Sequence, residues 1–558
     1  MKINEYFGNY NKNNLEQLVN YMMMLDNNLK KYYNFGKPFF KGDYKLKYKD
    51  FLEDRNLNTK SMNSKEIFEY IAPYFKNIPN WNNPGTMINV IPPVNLISLA
   101  TSNVANMYNP NFAQDTYAGM LIVSEMEVSK YLSQLVGWNW TKTYGTFTFG
   151  GKGTNLYATK VAINKADKDA CMNGCKSNNY FMLTSKSGHP CHYEVCNWLG
   201  IGTANCYEIS CDSFGRMDIN QAKKIIMENI EKGKRFLGFN VTAGSTNELY
   251  VDPIKKIYDL NKEIVLKYKL DYIPHIHADA VLGWIYLFFN TYDFKKNPLK
   301  IEKHNLNKIK SLNQKIRELK YADSIGVDFH KTGFCPYTSS IVLFKNKEDF
   351  DTLNFKKNIS LEFLEYGNFN PYQSTLELTR SCNGPLTALC SLKSFGVDGF
   401  QKVVSNIFSS TEYFRSKLIN NKKICLLNPE TEGLASLFII KPYKYEDLTL
   451  QELLELPSED ISEIREYNVN YSKYILEQSI RGNIRFTFTS SRSYVIPNTN
   501  IKLGVLKAYP MSVFLDYKEM DKILKEINKT IDEYSKIDIS KYDKKTTISD
   551  DMVYRERK

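Results

Sequence analysis

The sequence predicts an α/β fold built on a largely parallel sheet, and three observations carry that prediction. Between Gly145 and Ser340 short apolar runs alternate with helical patterns, the order that places helices over a parallel sheet. Polar, glycine-bearing turns follow several of those runs, where ligands of such sheets bind. The 558 residues are 43% hydrophobic and 14% aromatic, enough apolar surface for a large core and too long for one ordinary domain.

Taken in order, the stretch to about residue 80 carries amphipathic helical patterns such as Leu15, Leu18, Val19 and Met22, broken by the polar segment from Phe35 to Asp43. A start rich in proline (Pro92, Pro93) leads into a helical pattern that Gly137 stops. Strands are expected at Thr146 to Phe149, Tyr180 to Thr184, Phe236 to Thr242, Ile273 to Ala278, Ser324 to Val327 and Ile341 to Phe344. Gly150-Gly151-Lys152-Gly153 follows the first, Thr242-Ala243-Gly244-Ser245-Thr246 the third and His277-Ala278-Asp279 the fourth. Helical patterns from Pro385 to Phe395 and after Asp398 lead into mixed elements, with strands expected at Ala435 to Ile440 and Asn483 to Thr489. The expected organisation is an N-terminal helical extension over 1–90 and a large α/β domain over 91–400. A small α+β domain over 401–535 and a charged tail over 536–558 complete it.

Composition narrows the function classes. A net charge of +12 would suit a nucleic-acid binder, but the lysines are scattered, and the densest group, Lys295 to Lys320, alternates with Asn, Leu and Ile as a solvated helical insertion does. No nucleic-acid partner is expected. The most apolar run, Ala280 to Phe289, is cut short by Asn290 and Asp293, well below the roughly 20 residues that a bilayer span needs, so no membrane partner is expected either. The N-terminus MKINEYFGNY has no basic region followed by an apolar one, and ten dispersed cysteines fit free thiols in a reducing cytoplasm.

The chemistry concentrates in Asp323-Ser324-Ile325-Gly326-Val327-Asp328-Phe329-His330-Lys331-Thr332-Gly333. A lysine just past a strand and beside a histidine can sit in a pocket that leaves its amine partly deprotonated, as a carbonyl-binding nucleophile must be. Gly150 to Asn155 lies between a strand and a helix, where backbone N–H groups and the positive helix end suit a phosphate; it is neither a Walker A loop nor a dinucleotide fingerprint. Asp279 ends an apolar strand, either capping the next helix or meeting a cation such as a protonated pyridine nitrogen. The spacing of Cys171, Cys175 and Cys191 with His189 and His192 is not a zinc signature, and no metal is expected. Asn240-Val241-Thr242 matches a glycosylation pattern but lacks the secretory route that it requires.

Taken together, Thr148 to Leu156, Gly188-His189-Pro190-Cys191-His192-Tyr193, Thr242 to Thr246, His277 to Ala280 and Asp323 through Lys331 resemble the group II decarboxylases that depend on pyridoxal 5'-phosphate, a family that includes glutamate, aromatic amino-acid, histidine and diaminobutyrate decarboxylases. The resemblance runs from about Pro92 to Arg380, with a looser match at Arg485-Phe486. It implies the fold of type I pyridoxal-phosphate enzymes, a homodimer, and conversion of a small-molecule L-amino acid to the primary amine and CO₂, with a lean toward an aromatic or other bulky substrate. Decarboxylation-deamination to an aldehyde and carbon–carbon cleavage are the alternatives on the same scaffold.

The resemblance also implies roles. Lys331 matches the lysine that carries the cofactor, Asp279 the carboxylate that pairs with its ring nitrogen, and His192 the histidine stacked on its ring. Gly151 and Lys152 fall at the turn that holds the phosphate, with His330 as a second contact on that side. Thr246, or equally Ser245, falls at the turn facing the cofactor's O3′ side. Tyr366 is the expected proton donor to the substrate Cα, with Tyr372 the alternative. Two positions depart from the pattern: Lys152 stands where Ser or Thr is common, and Glu194 where Ser is frequent. The stretch between His192 and Leu199-Gly200 is also shorter than usual.

Overall fold

The computed structural model describes residues 6–44, 52–53, 55–176, 178–354, 367, 369–497 and 499–537. The chain forms two compact units, one comprising 1–89, 410–429 and 436–558, the other 90–409 and 430–435. The first unit holds a five-stranded sheet: β1 (Thr86–Met87), β9 (Ile424–Leu426), β10 (Ser436–Ile440), β11 (Thr487–Val495) and β12 (Lys502–Ala508), in the order β1-β11-β12-β10-β9. Helices Ser458–Ile480 and Tyr517–Tyr534 supply Tyr471, Ile475, Ile523 and Tyr534 to a core shared with Phe438, Phe486 and Phe488. Arg485 is tied to Glu526 (3.4 Å) and Glu519 (3.8 Å) inside this unit.

The second unit carries the site. Its seven strands are β2 (Tyr144–Thr148), β3 (Tyr180–Ser185), β4 (Cys206–Ile209), β5 (Arg235–Thr242), β6 (His275–Asp279), β7 (Ser324–Asp328) and β8 (Ser340–Phe344), in the order β2-β8-β7-β6-β5-β3-β4. The run from β7 to β4 is parallel, and β8 is antiparallel to both its neighbours. The type I fold that the resemblance implied is thus built from a mostly parallel sheet. β3, β6, β7 and β8 are buried along their whole length; β3 and β8 accordingly read as mostly apolar runs, whereas β6 and β7 also bury His275, His277, Asp279, Ser324 and Asp328.

All six expected strands of this sheet begin within two residues of the observed ones, with Ile273 to Ala278 shifted to His275–Asp279. β4 was not expected, because Cys206-Tyr207-Glu208-Ile209 is a short edge strand with a polar outer face. In the smaller sheet β11 starts at Thr487 rather than Asn483. Gly137 closes its helix with φ of 87°, and the lysine-rich stretch forms the helix Lys303–Ile316, whose Ile309, Leu312 and Ile316 are buried. No helix among the described residues is long and apolar enough to cross a membrane.

Helix Gly151–Ala166 lies over the middle of this sheet, with Val161, Ala158 and Ile163 fully buried. Its close approach depends on Gly326, where an added Cβ would stand 2.4 Å from Thr154 Oγ1. Small residues here bring the start of the helix down onto the ends of β6 and β7.

Candidate active site

The C-terminal ends of β2, β5, β6 and β7 converge with the start of helix Gly151–Ala166, so Thr148, Thr242, Asp279 and Asp328 share one edge of the sheet. Lys331 follows β7 by three residues, and its Nζ lies 3.1 Å from Asp328 Oδ2. Asp328 is buried and also accepts from Ser340 Oγ at 2.5 Å, with His330 Nε2 at 3.5 Å. His330 packs against the Tyr337 ring at 4.3 Å; burial holds its pKa down, with the Lys331 charge adding and Asp328 opposing. Gly150 takes φ of 132°, and a Cβ on Gly151 would meet Asp328 Oδ2 at 2.9 Å, so both positions favour glycine.

Asp279 is 93% buried, since its exposure is 7%. Its polar contacts are Asn155 Nδ2 and the Val281 N–H, both at a long 3.4 Å, and no cation among the described residues pairs with it. A buried carboxylate without a positive partner is costly, and its place at a strand end marks where one belongs. His192 is fully buried beside it. Its Nδ1 accepts from Asn240 Nδ2 at 2.7 Å, which leaves the proton on Nε2, and burial lowers its pKa to about 4 against the opposing pull of Asp279. The ring is therefore neutral near pH 7.

Asn155 joins these groups: its Nδ2 faces Asp279 and the Cys191 thiol (3.5 Å), and its Oδ1 accepts from Asn240 Nδ2 at 3.1 Å. Burial raises the Cys191 thiol to about 12, so it stays protonated. Beneath the same helix His275 Nε2 and His277 Nδ1 both meet Ser324 Oγ, at 2.7 and 2.8 Å. Lys165 Nζ, which can only donate, approaches His275 Nδ1 at 3.5 Å. That fixes a direction, His275 donating to Ser324 and Ser324 to His277, and leaves His277 Nε2 buried without a partner among the described residues.

The remaining expected site residues are placed as follows. Lys152 sits in the first turn of helix Gly151–Ala166 and forms an ion pair with Glu194 of the helix Cys191–Trp198. Thr246 is exposed, whereas Ser245 is buried and accepts from the Tyr250 N–H at 3.0 Å. Tyr366 lies outside the described residues. Tyr372 lines a cavity of about 1610 Å³ at the opposite edge of the sheet, with Lys165, Asp323 and Asp349. Arg380, at the end of the resembling region, is a buried structural cation: it pairs with the fully buried Glu125 and donates to Phe112 and Phe147 carbonyl oxygens at 3.1 and 3.2 Å.

Residues 48–295 match the family model of the pyridoxal-dependent decarboxylase conserved domain, a span that contains the Gly150 turn, His192, Thr246 and Asp279 and ends before Lys331. Over this span the chain is similar to the pyridoxal-dependent decarboxylase family. An L-aspartate decarboxylase of Metarhizium robertsii is 23% identical over 352 residues, 62% of this chain and 64% of that protein. An L-2,4-diaminobutyrate decarboxylase of Rhizobium meliloti is 23% identical over 348 residues, 62% of this chain and 63% of that one. The alignments thus span less than two thirds of these curated relatives. Mouse CSAD, 16% identical, superposes with a TM-score of 0.76 over 92% of this chain and 99% of its own, which shows the shared fold.

The decarboxylase family takes pyridoxal phosphate, and the residues present fit it. The unpaired Asp279 carboxylate suits a protonated ring nitrogen, the neutral His192 ring a flat neighbour, and the glycine turn at a helix start an anion. Sequence reasoning missed Asn155, Asn240 and Asp328 as site residues. Asn240 did carry a signal, an amide in the middle of the apolar run Phe236 to Thr242, where a buried polar group needs partners.

Proposed function

We propose that this chain decarboxylates an L-amino acid to the primary amine and CO₂ with pyridoxal phosphate as cofactor. The observation that carries the reading is the buried Asp279 at the end of β6, with no cation beside it among the described residues and with Lys331 just past the end of the adjacent β7. When bound, the cofactor supplies a ring that accepts the electron pair left behind as CO₂ departs. Asp279 holds the proton on the ring nitrogen. His192, kept neutral by burial and oriented by Asn240, packs as a flat apolar wall without adding a competing charge. Asp328 orients the Lys331 amine. Tyr366 is assigned proton delivery to Cα, which directs the reaction to amine rather than aldehyde; Tyr372, the other candidate, lines the cavity at the opposite edge of the sheet and is dropped.

For the substrate we favour an L-amino acid with a short charged side chain over the aromatic class. The relatives named for aspartate and diaminobutyrate support this. The reading includes a homodimer, supported by the exposed apolar side chains Leu96 (76%), Ile97 (61%) and Met120 (74%). It also includes a cytoplasmic location, in keeping with ten free thiols.

The test is an absorbance spectrum of the purified protein and of Lys331→Ala, followed by CO₂ release from each of the twenty amino acids and from L-2,4-diaminobutyrate. A visible band lost in the variant, with CO₂ from aspartate, glutamate or a diamino acid, is expected. CO₂ from an aromatic amino acid alone would overturn the substrate class. Aldehyde in place of amine would move the reaction to the alternative chemistry.

A further inference from the structure

The two positions that depart from the family pattern, Lys152 and Glu194, lie 42 residues apart in sequence and are bonded to each other. Each side chain is about half exposed (52% and 53%), and the pair sits beside the functional groups: both charges act on His189 and Cys191, which also feel Asp279. Lys152 belongs to the first turn of helix Gly151–Ala166, whose start has no side-chain cap. An anion arriving at that start is therefore drawn both by open N–H groups and by this ammonium. The same ammonium already has an anionic partner.

We propose that Glu194 is a built-in competitor for the cofactor's phosphate: it holds the Lys152 ammonium until phosphate displaces it, so cofactor affinity is set by the exchange of one carboxylate for one phosphate. This rests on the reading that pyridoxal phosphate binds with its phosphate at the start of helix Gly151–Ala166. A serine or threonine hydroxyl at position 152 would donate one short hydrogen bond and need no counter-charge. A lysine there adds a full positive charge at an anion site, and Glu194 neutralises it while the site is empty. Exposure limits the size of the effect, because exposed ion pairs contribute only modestly and are screened by salt.

A clamp and a competitor differ in sign. If the pair only braced the two helices, removing either partner would weaken cofactor binding. As a competitor, Glu194 opposes binding while Lys152 favours it. The experiment is a spectroscopic titration of cofactor-free protein with pyridoxal phosphate, using wild type, Glu194→Gln, Lys152→Met and the double variant, in low and in high salt, with pyridoxal lacking the phosphate as a control. Glu194→Gln is expected to tighten binding about two- to fivefold, and Lys152→Met to weaken it. The Glu194→Gln gain should vanish in the Lys152→Met background, in high salt and with pyridoxal. Weaker or unchanged binding in Glu194→Gln would overturn the competitor role while leaving the cofactor assignment intact. No binding of pyridoxal phosphate by wild type would overturn both.

Discussion

The two edges of the seven-stranded sheet are both lined with charge, yet only one is arranged for chemistry. At the edge where β6 and β7 begin, the cavity of about 1610 Å³ holds Lys165 and Asp349 paired at 3.0 Å, and Asp323 accepts the Ile276 N–H at 2.9 Å. Lys165, Asp349 and Asp323 there are thus partnered. At the other edge Asp279 has no cation among the described residues, the start of helix Gly151–Ala166 has no side-chain cap, and Lys331 stands 3.1 Å from a buried carboxylate. Volume records where atoms are missing, whereas an unmet charge records where a ligand's charge is expected. The edge that holds the cavity is the less informative one.

The contrast can be broken by mutation. Lys331→Ala should remove the visible absorbance band and lower CO₂ release on the order of 10³-fold or more. Asp279→Asn should cost about 10²- to 10³-fold, the equivalent of breaking a buried charge pair, while the protein stays folded by circular dichroism. Arg380→Met leaves Glu125 buried without its cation and should cost about 3–5 kcal/mol in denaturant unfolding. Lys165→Met, at the cavity edge, leaves a mostly buried Asp349 without its cation and should cost about 1–3 kcal/mol, less than Arg380→Met, and leave turnover unchanged. A Lys165→Met variant as inactive as Asp279→Asn would erase the distinction between the edges.

The rings between the edges predict a pH response intermediate in size. His192 and His277 titrate near 4 and 3 in the folded protein, because burial disfavours their charged forms. In the unfolded chain each takes up a proton near 6.5, so below that pH the unfolded state binds more protons and stability falls with pH. Each ring should cost about 2 kcal/mol by pH 5. A denaturation midpoint flat between pH 7 and 5 would show that these rings are not held neutral.

Much of the reactive edge is legible in the sequence alone. The strand runs of the large unit, the turn after β2, Asp279 at a strand end and Lys331 after another all follow from period, turn residues and motif order, because each is a local property of the chain. The rest depends on distant pairings. Nothing local in Lys152 or Glu194 announces the other, and Asn240 reads as a glycosylation pattern until Asn155 and His192 stand beside it. β4 escapes because an edge strand with an outward glutamate lacks the apolar run that marks its neighbours.

The hydrogen-bond chain through Ser324 also bears on how this sequence can drift. One hydroxyl serves two buried imidazoles on the neighbouring strand, so replacing Ser324 by alanine leaves two rings unsatisfied at once. An apolar residue at 275 would leave Ser324 and His277 free to choose the opposite proton direction. Of the three positions, 324 is therefore the least free to change alone, since its hydroxyl is the group that both rings share.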